Sequence, residues 1–212
     1  LASVGSGLKV LMVDHQDSFV HSLGSYVRQC GSQLLTLRPE PARNYLRRES
    51  VDLVVLSPGP ARPADFAMRE TLALCLAQGI PVFGVCLGLQ GIVEYFGGRL
   101  DLLDYPMHGK PSRISHRGGV LFKGIASSFN AGRYHSLYAA EVPDCLRITA
   151  TDEAGIVMAV EHAHKPIFAV QFHPESIMSL EQAAGLQLVA NTVEYVARLR
   201  QMSTDGKGRL NA

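Results

Sequence analysis

Short apolar runs alternate with amphipathic stretches along the first hundred residues. The apolar runs are dominated by Val, Leu and Ile, a pattern typical of strands buried on both faces of a parallel sheet. The stretches between them have the spacing and ends of helices, and strand–helix alternation predicts a parallel sheet with helices on both faces. The predicted strands span 9–14, 33–38, 52–56 and 80–85, and the predicted helices span about 17–30, 64–78 and 87–96.

The pattern changes from about residue 99 to residue 163. Short runs at 119–122, 146–150 and 156–160 suggest antiparallel hairpins, one of them turning at 153–155. A further strand-like run then precedes a long helix with apolar residues at core spacing. The predicted class is α/β, with a mostly parallel central sheet, helices on both faces and an additional antiparallel segment. The late strand is expected at 167–172 and the helix at 180–201, with Leu186, Val189, Val193 and Val196 facing the core.

The chain of 212 residues is long enough for one α/β domain with a sizeable core. The start is rich in small residues, lacks Met and has no signal-peptide pattern. We therefore expect residues 1–7 to be a linker joined to an upstream segment, 8–202 to be the domain and 203–212 to be a disordered tail.

Composition argues against several classes of function. The net charge is +1, which gives no general case for binding nucleic acid or an anionic membrane. No apolar stretch approaches the ~18 residues of a membrane-spanning helix. The four cysteines lack a framework spacing, which favours a reducing cytoplasm. Without a CxxC or a histidine cluster, no metal site is predicted.

The most informative local feature is Cys86, which lies where an apolar strand turns into a helix. A nucleophile wedged in such a turn has a strained backbone and needs small neighbours for clearance, which Gly84 and Gly88 supply. A thiol at a helix N-terminus is also favoured as thiolate. The backbone N–H of Leu87 would point at an oxyanion formed on attack, and Gly59, after the strand at 52–56, could present a second N–H.

The alternative interpretation of Cys86 is a buried small hydrophobic residue, which is common for free cysteine. The flanking glycines, Gly84 and Gly88, and the position between strand and helix favour a nucleophile instead. The other cysteines lack this context, and we interpret Cys30 and Cys75, in helical segments, as core or surface thiols.

A histidine and a carboxylate, His173 and Glu175, follow the strand-like run at 167–172. Residues i and i+2 of an extended chain point to the same side, so the carboxylate could orient an imidazole that takes the thiol proton. Alone, this pair would be a solvated strand end. Together with Cys86 it predicts an enzyme of acyl-transfer chemistry.

Four separated motifs make nearly the whole chain, about 8–200, resemble class I glutamine amidotransferases of flavodoxin-like fold. Two further motifs, at 107–110 and 133–137, look like signatures of the anthranilate synthase and aminodeoxychorismate synthase branch. The four family motifs are Asp-Ser-Phe at 17–19, Ser-Pro-Gly-Pro at 57–60, Gly-Val-Cys-Leu-Gly at 84–88 and Phe-His-Pro-Glu-Ser at 172–176.

The resemblance implies that glutamine is the substrate and that its amide is attacked by the cysteine. It implies a glutamyl thioester, ammonia as product and no cofactor in this domain. The roles it implies are catalysis by Cys86, His173 and Glu175, an oxyanion hole at Gly59 and Leu87, and binding of the glutamine amino and carboxylate groups by Gln90, Ser136 and Leu137.

The resemblance also implies that ammonia passes to a chorismate-using synthase, a domain or subunit that uses Mg and is expected to be fused N-terminally. His108 and Lys110 would contribute to the surface facing this partner, or would form a solvated polar turn. Two positions depart from the family pattern. Ala61 stands where a glycine is common, which affects the oxyanion loop, and Leu89 stands where His or another polar residue is common.

Several acceptors of the ammonia remain open. Anthranilate formation in tryptophan biosynthesis is favoured, with aminodeoxychorismate and phenazine-pathway synthases as alternatives. Amidotransferases serving guanylate, cytidylate or carbamoyl phosphate synthesis match 107–110 less well. Outside this family, the same cysteine and histidine could serve a cysteine hydrolase or peptidase. A non-catalytic receiver or binding module, using Asp14 and Asp17, would need neither the strained cysteine nor the distant histidine.

Overall fold

The computed structural model describes residues 3–176, 179 and 183–209, with only the backbone described for 205–209. The strands are β1 (Lys9–Val13), β2 (Gln33–Leu37), β3 (Leu53–Leu56), β4 (Val82–Val85), β5 (Arg99–His116), β6 (Ser128–Glu141), β7 (Leu146–Asp152), β8 (Val157–His162) and β9 (Ile167–Val170). The helices are α1 (Val20–Gln29), α2 (Pro39–Leu46), α3 (Met68–Ala77), α4 (Leu87–Tyr95) and α5 (Ala184–Arg209), with a short 3-10 helix at Pro63–Phe66.

Within these residues the strands form one nine-stranded sheet in the order β2-β1-β3-β4-β9-β8-β7-β5-β6. The pairs from β2 to β9 are parallel, and those from β9 to β6 are antiparallel. The predicted class, α/β with parallel strands and an additional antiparallel segment, is confirmed. The pairing of β4 with β9 sets Val85 beside Val170, so the segments that follow both strands emerge side by side.

Both faces of the parallel strands are buried, which explains their continuous apolar pattern. In β1, Val10 and Met12 face one core, which includes residues of α1 and α5. Leu11 and Val13 face a second core, which includes residues of α2, α3 and α4. Helices therefore cover both faces, as predicted.

Two predicted segments differ from the structure. The run at 119–122 was expected to be a strand, but it forms a bend and the start of a turn. Gly118 and Gly119 have φ of 87° and 106°, and the Leu121 N–H donates to the buried carboxylate of Glu161. Leu121 and Phe122 are therefore core residues held by a side chain rather than by a neighbouring strand.

The helix predicted at 64–78 is interrupted. The 3-10 helix at Pro63–Phe66 ends at Ala67, whose φ of 50° lies in the left-handed region, and α3 then starts at Met68. Helix α2 was not predicted, because two prolines, Pro39 and Pro41, lie in its first turn. Proline is accepted there because the first helical N–H groups have no partner within the helix.

The first residues are bonded to the domain, and the last helix is longer than expected. In the predicted linker, the Gly5 N–H donates to the carbonyl of Cys30 (2.7 Å), and Ser32 Oγ donates to the Gly5 carbonyl. At the other end α5 continues to Arg209, past the expected helix end at Gln201 and into the tail that was predicted to be disordered. Within this helix the hydroxyl of Ser203 donates to the carbonyl of Leu199. The start predicted at 180 lies outside the described residues.

The core face of α5 is shifted from the predicted one. Val189, Val193 and Val196 are buried as expected, but Leu186 is only partly buried. Leu188 takes the core position instead, because the helix turns that side chain toward the sheet.

Candidate active site

The turn between β4 and α4 places Cys86 in a strained backbone. Its φ of 55° and ψ of −101° lie outside the regions that L-residues favour. Such strain persists only where the surroundings enforce it, and it is concentrated at functional sites. The prediction of a strained cysteine between strand and helix is therefore confirmed.

The two glycines that bracket the cysteine are required by close backbone contacts. A Cβ at Gly84 would lie 2.7 Å from the carbonyl carbon of Gly88, and a Cβ at Gly88 would lie 2.6 Å from the carbonyl oxygen of Leu56. The strand, the turn and the helix are thus packed backbone against backbone. This contact leaves room for glycine alone.

Replacing Gly88 with alanine is expected to lower the free energy of unfolding by about 1–3 kcal/mol, the usual cost of overpacking. The loss should appear although alanine favours helix over glycine by about 1 kcal/mol. Urea unfolding followed by circular dichroism measures it. Gly24→Ala in α1 is the matched control, because its new methyl would meet only the ends of flexible side chains, of which Leu34 at 3.0 Å is the nearest. Equal stabilities of the two variants would contradict the proposed contact.

The histidine and the carboxylate form the predicted pair. Nδ1 of His173 donates to Oε1 of Glu175 at 2.8 Å, and both side chains are almost fully buried. The predicted reason was wrong, since β9 ends at Val170 and the pair lies in a turn rather than in extended chain. A backbone bond from the His173 N–H to the carbonyl of Gly132 anchors this turn to β6.

The charge state of His173 depends on its two neighbours. Burial lowers its pKa, but the negative charge of Cys86 and the hydrogen bond to Glu175 outweigh the burial and raise the pKa to about 10. Since Nδ1 is bonded to Glu175, Nε2 is the atom left for the thiol. The arrangement can accept the thiol proton at Nε2 and hold it there.

Aromatic rings enclose the imidazole. The ring centroid of Phe19 lies 4.9 Å from that of His173, and the ring centroid of Tyr134 lies 5.0 Å from that of His173, both edge to face. Phe19 and Tyr134 also contact each other. These rings restrict the imidazole to one orientation and shield its ion pair from water.

The loop that carries Gly59 is clamped by His15. The His15 N–H donates to Oγ of Ser57 at 2.9 Å, and its Nδ1 donates to the Ser57 carbonyl at 3.0 Å. Burial lowers the pKa of His15 to about 4, so the ring is neutral at physiological pH. A Cβ at Gly59 would lie 2.6 Å from Cβ of His15 and 2.8 Å from the side chain of Leu87, so the loop also needs glycine here.

The two positions that depart from the family pattern have different consequences. Ala61 has a φ of 62°, in the left-handed region where glycine has the lower energy. The loop therefore keeps a glycine-like backbone at Ala61, at some cost in strain. Leu89 is fully buried in the core beneath α4 and does not face the site.

A cavity of about 290 Å³ opens above the thiol. Its size suits a small metabolite. Of the residues predicted to bind substrate or to form the oxyanion hole, Gly59, Gln90, Ser136 and Leu137 line the cavity and Leu87 lies at the start of α4 behind it. The remaining lining residues are Pro60, Ala61, Cys86, Pro106, Met107, His108, Tyr134 and His135.

Gln90 has a defined orientation in this cavity. Its Nε2 donates to the carbonyl of Leu137 at 3.1 Å and to Oε1 of Gln171 at 3.3 Å. These bonds use both amide hydrogens, so the carbonyl oxygen of Gln90 is left for a ligand. That oxygen suits an ammonium group better than a carboxylate.

Sequence reasoning missed four residues that define the site: the clamp residue His15, the rings of Phe19 and Tyr134, and the buried amide of Gln171. His15 and Phe19 lie in or next to the motif at 17–19, and Tyr134 lies in the motif at 133–137. Gln171 directly precedes the motif at 172–176. Their place in or beside these motifs was the available signal, but their contacts depend on the tertiary structure.

The remaining cysteines differ from Cys86. Burial raises the pKa of Cys75 to about 12 and also raises the pKa of Cys30. Among the described residues, no group of three or more His, Cys, Asp or Glu side chains is placed to hold a metal ion. In the same part of the chain, no helix is long and apolar enough to cross a membrane.

Comparison with known proteins agrees with this geometry. Residues 11–192 match the family model for glutamine amidotransferase class-I. The chain is 54% identical over 195 residues to a protein named anthranilate synthase of Azospirillum brasilense, covering 91% of this chain but only 27% of that protein. It is 40% identical to anthranilate synthase component 2 of Methanocaldococcus jannaschii, covering 88% of this chain and 96% of the relative.

A third relative, aminodeoxychorismate/anthranilate synthase component 2 of Bacillus subtilis, is 37% identical and is covered over 95% of its length. Among solved structures, a GMP synthase subunit from Thermoplasma acidophilum matches with a TM-score of 0.84 and 22% identity, covering 93% of this chain and 98% of that one. That likeness shows the fold. With the family model spanning most of its length, this chain belongs to the class-I glutamine amidotransferase family.

Proposed function

We propose that this chain hydrolyses glutamine and delivers the ammonia to a chorismate-using synthase, most directly for anthranilate formation. The observation that carries the proposal is the juxtaposition of a strained thiol, Cys86, with the buried pair of His173 and Glu175 beneath one small cavity. A thiol, a base and an orienting carboxylate are the parts that nucleophilic acyl transfer needs.

In the proposed first step, the thiol proton moves to Nε2 of His173 and the sulfur attacks the side-chain amide carbon of glutamine. The carbonyl π electrons move to oxygen and form an oxyanion. The N–H of Leu87, at the start of α4, would stabilise that charge because the first N–H groups of a helix lack partners within it. The N–H of Gly59 would be the second donor.

The tetrahedral intermediate then collapses. The oxyanion electrons re-form the carbonyl and the C–N bond breaks as His173 gives its proton to the departing nitrogen. The nitrogen leaves as ammonia, and a glutamyl thioester remains on Cys86. Water attacks the thioester with His173 as base, the C–S bond breaks, and glutamate leaves with the thiol restored. Glu175 keeps the imidazole oriented through both proton transfers.

Recognition of glutamine would come from the walls of the cavity. The free carbonyl oxygen of Gln90 would accept from the α-ammonium group of the substrate. Ser136 and Leu137, on β6, would hold its carboxylate. The cavity volume of about 290 Å³ favours a free amino acid over a peptide.

The names of the relatives support anthranilate as the product on the synthase side, and they also give a second candidate. The relative of 54% identity is named anthranilate synthase, and this chain spans about a quarter of it. Because this chain matches only that part of the relative's length, the comparison supports a synthase segment fused to the same polypeptide in the native protein. Aminodeoxychorismate is the second candidate, because relatives of 37% and 39% identity carry that name.

The partner would dock at the rim of the cavity, where Met107 and His108 lie. Lys110, on the same strand, would extend that surface. The synthase would hold the Mg, and this domain would need no cofactor. We propose a cytoplasmic location, since the substrates and the free thiols fit a reducing compartment.

The test is labelling of the pure chain with a glutamine-like diazoketone, followed by peptide mass mapping. We expect one adduct, on Cys86, and we expect excess glutamine to prevent it. Labelling of Cys86 that glutamine leaves unchanged would contradict the substrate, and faster cleavage of short peptides or esters would indicate a cysteine hydrolase. Adding chorismate, Mg and each synthase partner in turn then distinguishes anthranilate from aminodeoxychorismate by chromatography.

A further inference from the structure

We propose that Gln171 is a further catalytic residue, whose side-chain N–H donates a hydrogen bond to the sulfur of Cys86 and holds it as the attacking anion. A chain of buried polar groups orients this donor. The inference deepens the proposed function and rests on it, since the sulfur is the nucleophile of that reaction.

The contact is direct and enclosed. Nε2 of Gln171 lies 3.5 Å from Sγ of Cys86, and the side chain of Gln171 is fully buried. The backbone fixes the approach, because the Cys86 N–H donates to the carbonyl of Val170 at 2.8 Å and the Gln171 N–H donates to that of Met158. The amide is therefore held beside the sulfur by the sheet itself.

The orientation of the amide follows from its neighbours. The carbonyl oxygen of Leu137 can only accept, so the group that Gln90 turns toward it must be its NH₂. The second hydrogen of that NH₂ meets Oε1 of Gln171. With its oxygen committed to Gln90, Gln171 must present its own NH₂ to Cys86.

The series of hydrogen-bonded polar groups ends, away from Cys86, at a buried ion pair. The Leu137 carbonyl also accepts from Nδ1 of His135, at 2.7 Å, and Nε2 of His135 accepts from Nε of Arg133 at 3.0 Å. Burial, and then the charge of Arg133, lower the pKa of His135 to about 4, so the ring stays neutral and can accept. Arg133 is itself held by Asp152.

The donor acts differently on the two forms of the nucleophile. When the thiol proton moves to Nε2 of His173, the electron pair and the negative charge remain on the sulfur. An N–H bond to an ion is much stronger than one to a neutral thiol, which is a weak acceptor. Gln171 therefore favours the thiolate before attack, and again as the sulfur leaves the thioester.

The experiment measures the rate at which iodoacetamide alkylates Cys86 as a function of pH, in the full chain without glutamine. Gln171→Met removes the donor at similar size. Gln171→Glu keeps one side-chain oxygen as acceptor for Gln90, but its second oxygen replaces the NH₂ group that faced the sulfur. We expect the midpoint of the profile to rise by about one pH unit in Gln171→Met and at least as far in Gln171→Glu, which means about tenfold slower alkylation at neutral pH.

Gln78→Glu is the matched control, because Gln78 donates to the Leu46 carbonyl far from the site, and its profile should match that of the wild type. Thermal melts show which variants are folded. If either folded Gln171 variant keeps the wild-type profile, the inference is overturned, whatever its melting temperature. Since this readout uses no glutamine, it is separable from the proposed function, which fails instead if the wild type does not hydrolyse glutamine.

Discussion

Replacing Cys86 with serine is expected to lower glutamine-dependent kcat by at least about a thousandfold, because a hydroxyl is not ionised by the neighbouring imidazole and is a poor nucleophile. The change removes no packing volume of note, so the fold should survive. In the complex with its synthase, activity with added ammonium should remain. The measurement is glutamate release, run beside product formation from glutamine and from ammonium.

The control for this variant is Cys145→Ser, which changes a partly buried thiol outside the site and should leave both activities unchanged. Glutamine-dependent activity in Cys86→Ser above a few per cent of wild type would exclude the thiol as nucleophile. Loss of ammonium-dependent activity as well would show that Cys86 supports the complex rather than the chemistry.

Replacing His173 with asparagine is expected to reduce kcat/KM by about 10³-fold or more, in the range of triad removals. The asparagine amide can take the place of Nδ1 and keep the bond to Glu175, while the position of Nε2 is lost. The charge of Cys86 would then lose its cationic partner. Alkylation of Cys86 at neutral pH should therefore become slower, because the thiolate is the reactive form.

The matched control is His162→Asn, because Nδ1 of His162 accepts from the backbone N–H groups of His164 and Lys165, and an asparagine oxygen can replace it. Its activity and alkylation profile should match those of the wild type. An unchanged profile in a folded His173→Asn variant would show that the imidazole does not ionise the thiol. Glutaminase rates and alkylation rates measured between about pH 6 and 10 give both readouts.

The parts of the site that local sequence could predict are those made by neighbouring residues. The strained turn depends on Gly84, Cys86 and Gly88, and the close contact of its two glycines lies within one strand–turn–helix unit. The pair of His173 and Glu175 is two residues apart, so its proximity was predictable. Its geometry was not, because the end of β9 is decided by which residues find a partner strand.

The polar chain behind the thiol could not be predicted in the same way. Its members come from three separate elements: Gln90 from α4, Gln171 from the end of β9 and Leu137 from β6. The sequence around each residue does not indicate that they meet. An amide has no preferred direction until its partners are placed. Only the packed structure turns the NH₂ of Gln171 toward Cys86.

The sequence by itself determined the class of fold and the identity of the reactive groups. Apolar runs buried on both faces require helices on both sides of a parallel sheet, and a cysteine between two glycines at a strand end requires a strained turn. The tertiary structure alone decided that β4 pairs with β9, which brings Cys86 to His173 and Gln171. Strand pairing depends on contacts between segments that are distant in sequence. These contacts contribute free energy only in the folded sheet, so no short stretch of sequence shows which strands will pair.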